Sequence, residues 1–293
     1  MNSEQVVIAE KLTKYYRDFW GRSVVPALQD LTLSVPRGII FGLLGPNGSG
    51  KTTTIKLILG LLHPTRGYVS VFGKPAQDIT VKQKIGYVPE ENSLYGFLTA
   101  SETMHFFGSL FSLPASIINE RTEKLLSQLN IAEVKNRQVR KYSKGMARRL
   151  CIAASLINDP DLLIFDEPTS GLDPLGRRDV KQLFLELKKA GKTIILSSHL
   201  LADVEDVCDS IAILSSGKLM QIGNVSELLT IKDQLELKIY ASQTQAEEIK
   251  KLLKSSNMEV ISIRNPAVTL EDLFVKTITP ESENNDKNKG FSQ

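Results

Sequence analysis

Short apolar runs recur along the chain with helical stretches between them, the pattern of a largely parallel or mixed sheet covered by helices. Residues 6–12, 28–35 and 68–72 alternate apolar and polar side chains, as antiparallel strands with one wet face do. Residues 39–44, 162–165, 193–197 and 211–214 are instead almost continuously apolar and bounded by Gly, Pro or Asp, which predicts strands buried on both faces and forming the core sheet. Between these runs, residues 99–157 read as an inserted, largely helical lobe. Thr99 and Glu102 have capping-box spacing, Pro114 ends the first helix, and Leu125, Leu126 and Leu129 stripe the next. From about Thr230 the pattern restarts as a strand (235–240), a helix (246–253), a strand (259–263) and a short helix opened by Thr269. The expected organisation is a main α/β domain over 1–230, a small α/β appendage over 231–279, and a polar, Asn-rich tail over 280–293 that should be disordered.

Composition narrows the class without naming a partner. With 293 residues, 42% apolar and 24% charged, Gly 19 and Pro 12, the chain is neither collagen-like, nor disordered, nor a disulfide scaffold. No apolar run approaches the roughly 20 residues of a spanning helix, and residues 1–10 lack the basic and apolar regions of a secretory signal. Cys151 and Cys208 lie far apart with no metal-ligand spacing, as expected of buried thiols in a reducing, cytoplasmic compartment. A net charge of +3 is compatible with nucleic acid, acidic lipid or neither.

The chemistry begins at Gly45-Pro46-Asn47-Gly48-Ser49-Gly50-Lys51-Thr52, which fits G-x-x-x-x-G-K-[ST] and directly follows a predicted buried strand. A strand, a glycine loop and an apolar helix over 53–61 would surround a phosphate with backbone N–H groups and the positive end of a helix. Lys51 should reach the β and γ phosphates and the Thr52 hydroxyl should ligate Mg²⁺. The buried strand 162–165 runs into Asp166, the expected second Mg²⁺ partner, and Glu167 follows where a carboxylate can polarise water for in-line attack. Ser197-Ser198-His199 ends the next apolar strand on the same sheet edge, with a structural histidine as the competing reading. His63 and His105 have no such placement.

Taken together, these motifs resemble those of the ATP-binding cassette (ABC) ATPases. Beside the P-loop and the strand ending at Asp166-Glu167, Ser170-Gly171-Leu172-Asp173 matches the family's D-loop and His199 its switch histidine. Tyr142-Ser143-Lys144-Gly145-Met146 matches the signature loop, about 20 residues before the acidic strand end. The likeness covers residues 6–222 and is strongest to cassettes of ABC-2-type exporters, which often carry Tyr-Ser-Lys-Gly-Met and a segment like Leu270-Glu271-Asp272-Leu273-Phe274. It implies a P-loop NTPase-like ABC nucleotide-binding domain with an antiparallel β subdomain and the helical lobe. It also implies ATP and Mg²⁺ as ligands, with Asn47, Gly48, Ser49, Gly50, Lys51, Thr52 and Thr53 around the phosphates and Tyr16 stacked on adenine. Tyr15 is the alternative, one register away. Ser143, an expected N-cap of a helix over 144–157 striped by Met146, Leu150, Ala153 and Ala154, would grip with Gly145 the ATP of a second, head-to-tail cassette, and Asp173 is a further implied nucleotide-binding residue.

Two positions depart from the family pattern. Lys144 replaces glycine, leaving a cation either near the γ phosphate or in solvent, and Met146 replaces glutamine. Glu90, after Ile85-Gly86-Tyr87-Val88-Pro89, stands where the Q-loop has glutamine, so it is either a charged ligand to Mg²⁺ or water, or an exposed glutamate. The resemblance implies an ATPase subunit at the cytoplasmic membrane face, energising a separate permease and probing no nucleic acid directly. Aromatics Tyr95, Phe97, Phe106, Phe107 and Phe111 mark a candidate permease contact, with core packing as the alternative for each. The competing class is a soluble cassette ATPase acting on ribosomes or DNA. A P-loop kinase or GTPase would lack the signature loop and D-loop.

Overall fold

The computed structural model describes residues 4–17, 23–91, 93–230 and 243–256. The chain divides into two units, Met1–Leu229 and Thr230–Gln293. The first unit opens with the antiparallel strands β1 (Gln5–Arg17) and β2 (Ser23–Pro36), followed by β3 (Ile40–Leu44) and α1 (Lys51–Ile58). Then come β4 (Arg66–Val71), β5 (Lys74–Pro75), α2 (Ile79–Lys82) and β6 (Ile85–Val88). The helical stretch supplies α3 (Ala100–Leu110), α4 (Ala115–Gln128) and α5 (Lys144–Leu156). β7 (Leu162–Asp166), α6 (Pro174–Lys189), β8 (Thr193–Ser198), α7 (Leu201–Glu205), β9 (Ser210–Ser215), β10 (Lys218–Asn224) and α8 (Val225–Leu229) complete it.

Two sheets organise these elements, a four-stranded one in the order β2-β1-β4-β5 and a six-stranded one in the order β10-β9-β3-β8-β7-β6. The first is antiparallel throughout; in the second every pairing is parallel except the β9–β10 hairpin. The continuous apolar strands are buried on both faces because each face has its own core. On one side Ile40, Leu44, Leu163, Phe165, Ile194 and Leu196 pack with residues of the helices, among them Met104 of α3, Leu126 of α4 and Leu150 of α5. On the other side Phe41, Leu43, Leu162, Ile164 and Ile195 pack against Ile55 and Ile58 of α1 and the inner face of the antiparallel sheet. Strict alternation along β3, β7 and β8 thus feeds both cores. Each fully buried Leu, Ile or Phe contributes about 1.5–3 kcal/mol, so losing either face would remove a large share of the stability.

The helical lobe is built as its sequence signals dictate. Thr99 and Glu102 close a reciprocal capping box, and Ser143 caps α5 through its hydroxyl, which accepts from Met146 N–H at 3.2 Å. Such a cap stabilises a helix by about 1 kcal/mol. On α4 the buried stripe is Ile118, Thr122 and Leu126, with Leu125 only half-buried.

Several boundaries differ from the sequence expectation. The helix expected over 53–61 begins two residues earlier and ends at Ile58, because Gly60 takes a positive φ of 63° and packs where a Cβ would lie 2.4 Å from the Ala76 carbonyl oxygen. Residues 85–88, read as part of a loop motif, form the edge strand β6, and Gly86 there lies so close to α5 that a Cβ would be 2.3 Å from the Ser155 carbonyl oxygen. β10, with only half its residues apolar, is held by the hairpin with β9. Cys151 and Cys208 are buried, and burial pushes the Cys151 thiol up to about 11.

In the second unit, the helix expected over 246–253 lies within α9 (Gln243–Ser255). The strands expected over 235–240 and 259–263, the helix opened by Thr269, the segment Leu270 to Phe274 and the tail over 280–293 lie outside the described residues. Among the described residues no helix is long and apolar enough to cross a membrane.

Candidate functional site

The parallel register decides where the chemistry gathers. Leu44 at the end of β3 pairs with Ser198 on β8, and Ser197 pairs with Asp166 at the end of β7, so three strands end on one edge. Ligands of open parallel sheets bind at such carboxyl edges. From β3 the chain enters the glycine loop, in which Gly45 and Gly50 hold φ values of 149° and 105°. Both are also crowded: a Cβ on Gly45 would lie 2.2 Å from the Leu214 carbonyl oxygen, and one on Gly50 2.8 Å from that of Ala27. Only glycine meets both conditions.

Lys51, the first residue of α1, is buried and folds back over this loop. Its Nζ donates to the Gly45 carbonyl oxygen at 2.7 Å and lies 3.6 Å from Glu167 Oε1. Ser49 Oγ is buried and carries no hydrogen-bond partner, an orphaned hydroxyl at the heart of the loop. Thr52 and Thr53 are half-buried, whereas Asn47 and Gly48 are exposed. A loop rich in free amides, with a buried cation and an unpartnered hydroxyl, fits an anion such as phosphate.

The acidic strand end sits beside it. Asp166 and Glu167 are buried, and Glu167 has a left-handed φ of 49°, unusual for a residue with a Cβ. Ser197 binds both residues at once. Its hydroxyl donates to Asp166 Oδ1 at 2.5 Å and accepts from Glu167 N–H at 3.0 Å. His199 Nδ1 lies 2.8 Å from Glu167 Oε2, so Glu167 is held between the lysine and the imidazole by its two carboxylate oxygens. Nearby, burial pushes the Tyr87 hydroxyl up to about 12, with the Asp166 charge adding to the effect.

Other candidate residues fall into separate places. Tyr16 is exposed, and its hydroxyl lies 3.5 Å from Thr53 Oγ1, whereas Tyr15 donates its backbone N–H to Thr65 Oγ1 at 3.1 Å. Of the two tyrosines, Tyr16 is the one brought to the glycine-loop helix. Glu90 is exposed, as is Lys144. Ser143 and Gly145 lie at the start of α5, and Asp173 caps α6 by accepting from Gly176 N–H at 2.8 Å. Among the described residues no hydrogen bond or ion pair joins these three to the Lys51–Glu167 cluster.

Two contributors carry no role in the sequence reading. Ser197 was legible only as the end of a strand; its bridge depends on which strand lies next to β7. Arg148 lies on the face of α5 opposite the expected stripe of Met146, Leu150, Ala153 and Ala154, so no local pattern signals its burial. It is buried, and burial pushes its guanidinium below the usual range while the Asp166 and Glu90 charges oppose the shift.

Comparison with known proteins places this geometry in a context. Residues 28–170 match the family model described as ABC transporter. The chain is 46% identical over 231 residues to an uncharacterized ABC transporter ATP-binding protein of Nostoc sp., covering 78% of this chain and 69% of that protein. It is 38% identical to the Nod factor export ATP-binding protein I of Ralstonia nicotianae, over 78% of this chain and 70% of that one. Among solved structures it resembles a dimeric, post-hydrolysis ATP-binding cassette bound to ADP and Pi, with a TM-score of 0.69, 25% identity, and coverage of 75% of this chain and 98% of that one.

The Ser197 bridge generates a direct expectation. Ser197→Ala leaves Glu167 N–H and Asp166 Oδ1 without this partner in a buried setting, which should cost about 1–3 kcal/mol of stability. Urea unfolding will register this as a lower midpoint at an unchanged slope; an unchanged midpoint would show that the hydroxyl does not carry the contact.

Proposed function

The chain belongs to the ABC transporter ATP-binding protein family, and from that footing we propose that it is the ATP-hydrolysing subunit of an exporter, energising a separate membrane permease. The observation that carries the reading is the meeting of Lys51, Asp166, Glu167 and Ser197 beside a glycine loop in left-handed conformations. Export is favoured by the likeness to the Nod factor export protein.

In this reading Lys51 and the amides of the loop from Gly45 to Thr52 hold the phosphates of ATP, with Asn47, Gly48, Ser49, Gly50 and Thr53 lining the cradle. The orphaned Ser49 hydroxyl gains an acceptor there. Tyr16 offers its exposed ring to adenine, a π contact indifferent to hydrogen-bond pattern. Thr52, Asp166 and Glu90 are the residues that would hold Mg²⁺. A hydroxyl and a carboxylate are oxygen donors of the kind a hard cation such as Mg²⁺ takes. When bound, the cation offsets the charge of the phosphates.

Glu167 accepts the proton of the attacking water, and its left-handed backbone aims the carboxylate into the loop rather than along the strand. His199 lies against the second carboxylate oxygen, and its role in this reading is to sense the γ phosphate. Phosphoryl transfer needs little beyond such positioning and charge stabilisation. Ser143, Gly145 and Asp173 serve the ATP of a second cassette, arranged head to tail. Their separation from the Lys51 cluster within one chain supports this, as does the dimeric state named for the similar solved cassette.

The permease contact falls on the aromatic patch after Glu90. Tyr95, Phe97 and Phe106 are 50%, 66% and 38% exposed and form a mutual cluster with ring centroids 5.5–5.7 Å apart about Tyr95. Phe107 and Phe111 pack against the core instead. Exposed aromatic side chains grouped in this way favour a protein partner. The chain then works as a peripheral protein on the cytoplasmic face of the membrane.

Three outcomes follow. Glu167→Gln should retain ATP binding while hydrolysis falls by about two or more orders of magnitude, and Lys51→Ala should weaken binding itself; equilibrium titration and steady-state phosphate release separate the two. Mixing Lys51→Ala chains with Ser143→Ala chains should give more activity than either parent, because both defects fall in one composite site and leave the other intact. No gain at any ratio would mean that Ser143 does not act across chains. In native cells the protein should pellet with membranes and leave the pellet when its permease is deleted; recovery with ribosomes would overturn the transporter reading.

A further inference from the structure

Arg148 lies one turn into α5, five residues beyond the Ser143 cap, and is 2% exposed. A guanidinium has five N–H donors in a rigid planar fork. Here all three nitrogens meet backbone carbonyls, five in number and from two separate segments. Nε donates to Pro168 at 3.2 Å, and Nη2 to Asp166 at 2.6 Å and Glu167 at 2.8 Å. Nη1 donates to Pro89 and, at 3.2 Å, to Glu90. These carbonyls lie at the last residue of β7 and just past the ends of β7 and β6, where the left-handed turn at Glu167 bends the chain away. The Glu167 carbonyl also accepts from Ser170 N–H at 3.2 Å, while Arg148 adds a donor to each of the five from a single rigid group.

We propose that Arg148 is a positioning residue for hydrolysis, locking the turn that carries Glu167 and the loop that carries Glu90 to the helix that begins at Ser143, so that the three segments shift as one body. The inference rests on the ATPase reading above and adds a link between its parts. The neighbouring Arg149 sends its guanidinium to Leu129 and Asp179 instead, and a lysine at position 148 would offer three donors on a single nitrogen in place of five spread over a plane. The Glu167 carboxylate is held at its tip by Lys51 and His199, but its peptide is held by Arg148 and Ser197. Losing the arginine therefore frees the base of the catalytic group while leaving the phosphate loop intact.

The test uses Arg148→Lys and Arg148→Gln in the full chain, with bound ATP per chain, KM and kcat measured well below each variant's thermal midpoint. The expected result is ATP affinity and KM within about two-fold of wild type and a kcat lowered about ten-fold or more per bound nucleotide, the split that marks loss of an interaction needed only at the transition state. A folded variant that turns over at the wild-type rate per bound nucleotide overturns the proposal. A wild-type chain that binds ATP without hydrolysing it overturns the ATPase reading and this proposal with it. Because either variant can fail to fold, amide hydrogen exchange of the unaltered chain supplies a second arm. A slowly hydrolysed ATP analogue should change protection over 89–91, 144–150 and 166–169 together, and a response at 166–169 alone overturns the linkage.

Discussion

The parallel register of β3, β8 and β7 is the constraint on which the rest depends. It brings Leu44, Ser198, Ser197 and Asp166 to a common sheet edge, so the loop after β3 and the turn after β7 meet although more than a hundred residues separate them. That register is fixed by alternation, since a slip of one residue in any of these strands would exchange the side chains destined for the two cores. Phe165 would leave its ring contact with Phe184 on α6, 4.7 Å away between centroids, and Ile164 would leave the opposite face. The geometry of the site is thus secured by the packing of apolar residues that never touch it.

Electrostatics shapes what the edge can do. Lys51, Arg148, Asp166 and Glu167 are all buried, where an isolated ion loses several kcal/mol of hydration. Each is compensated by a different device: Lys51 by two carbonyls and Glu167, Arg148 by five carbonyls, Asp166 by a serine hydroxyl, and Glu167 by a lysine and a histidine. Buried charge held in this way is preorganised, since groups already aimed at a phosphate need little rearrangement when charge develops there. The left-handed backbone of Glu167 belongs to the same economy. Strain of about 1–3 kcal/mol is tolerated where the surroundings over-determine the conformation, and Ser197 and Arg148 together do so.

The helical lobe contributes in two directions. Its inner residues complete one core of the sheet, while its exposed aromatics and the N-terminus of α5 face outward. A single rigid helix therefore bears the exposed signature residues at one end and the buried arginine a turn later. This economy of placement allows an event at the lobe surface to reach the strand ends through few contacts.

The sequence by itself carried the local chemistry. The glycine loop, the Asp166-Glu167 pair, the capping box at Thr99 and the Ser143 cap are all short-range patterns, legible because each depends on residues within a few positions of one another. The four apolar strands were equally legible, since burial on both faces leaves an unbroken apolar run. Boundaries were less so: the early stop of α1 comes from the close approach of Gly60 to Ala76, and β6 and β10 are strands chiefly because neighbours pair with them. Tertiary structure alone decided that Ser197 bridges Asp166 and Glu167, that His199 meets Glu167, that Tyr16 rather than Tyr15 reaches Thr53, and that Arg148 gathers five carbonyls. These contacts join residues 18 to 59 positions apart in the chain. Their partners are chosen by strand order and helix packing, and no local pattern encodes which strand will lie beside which.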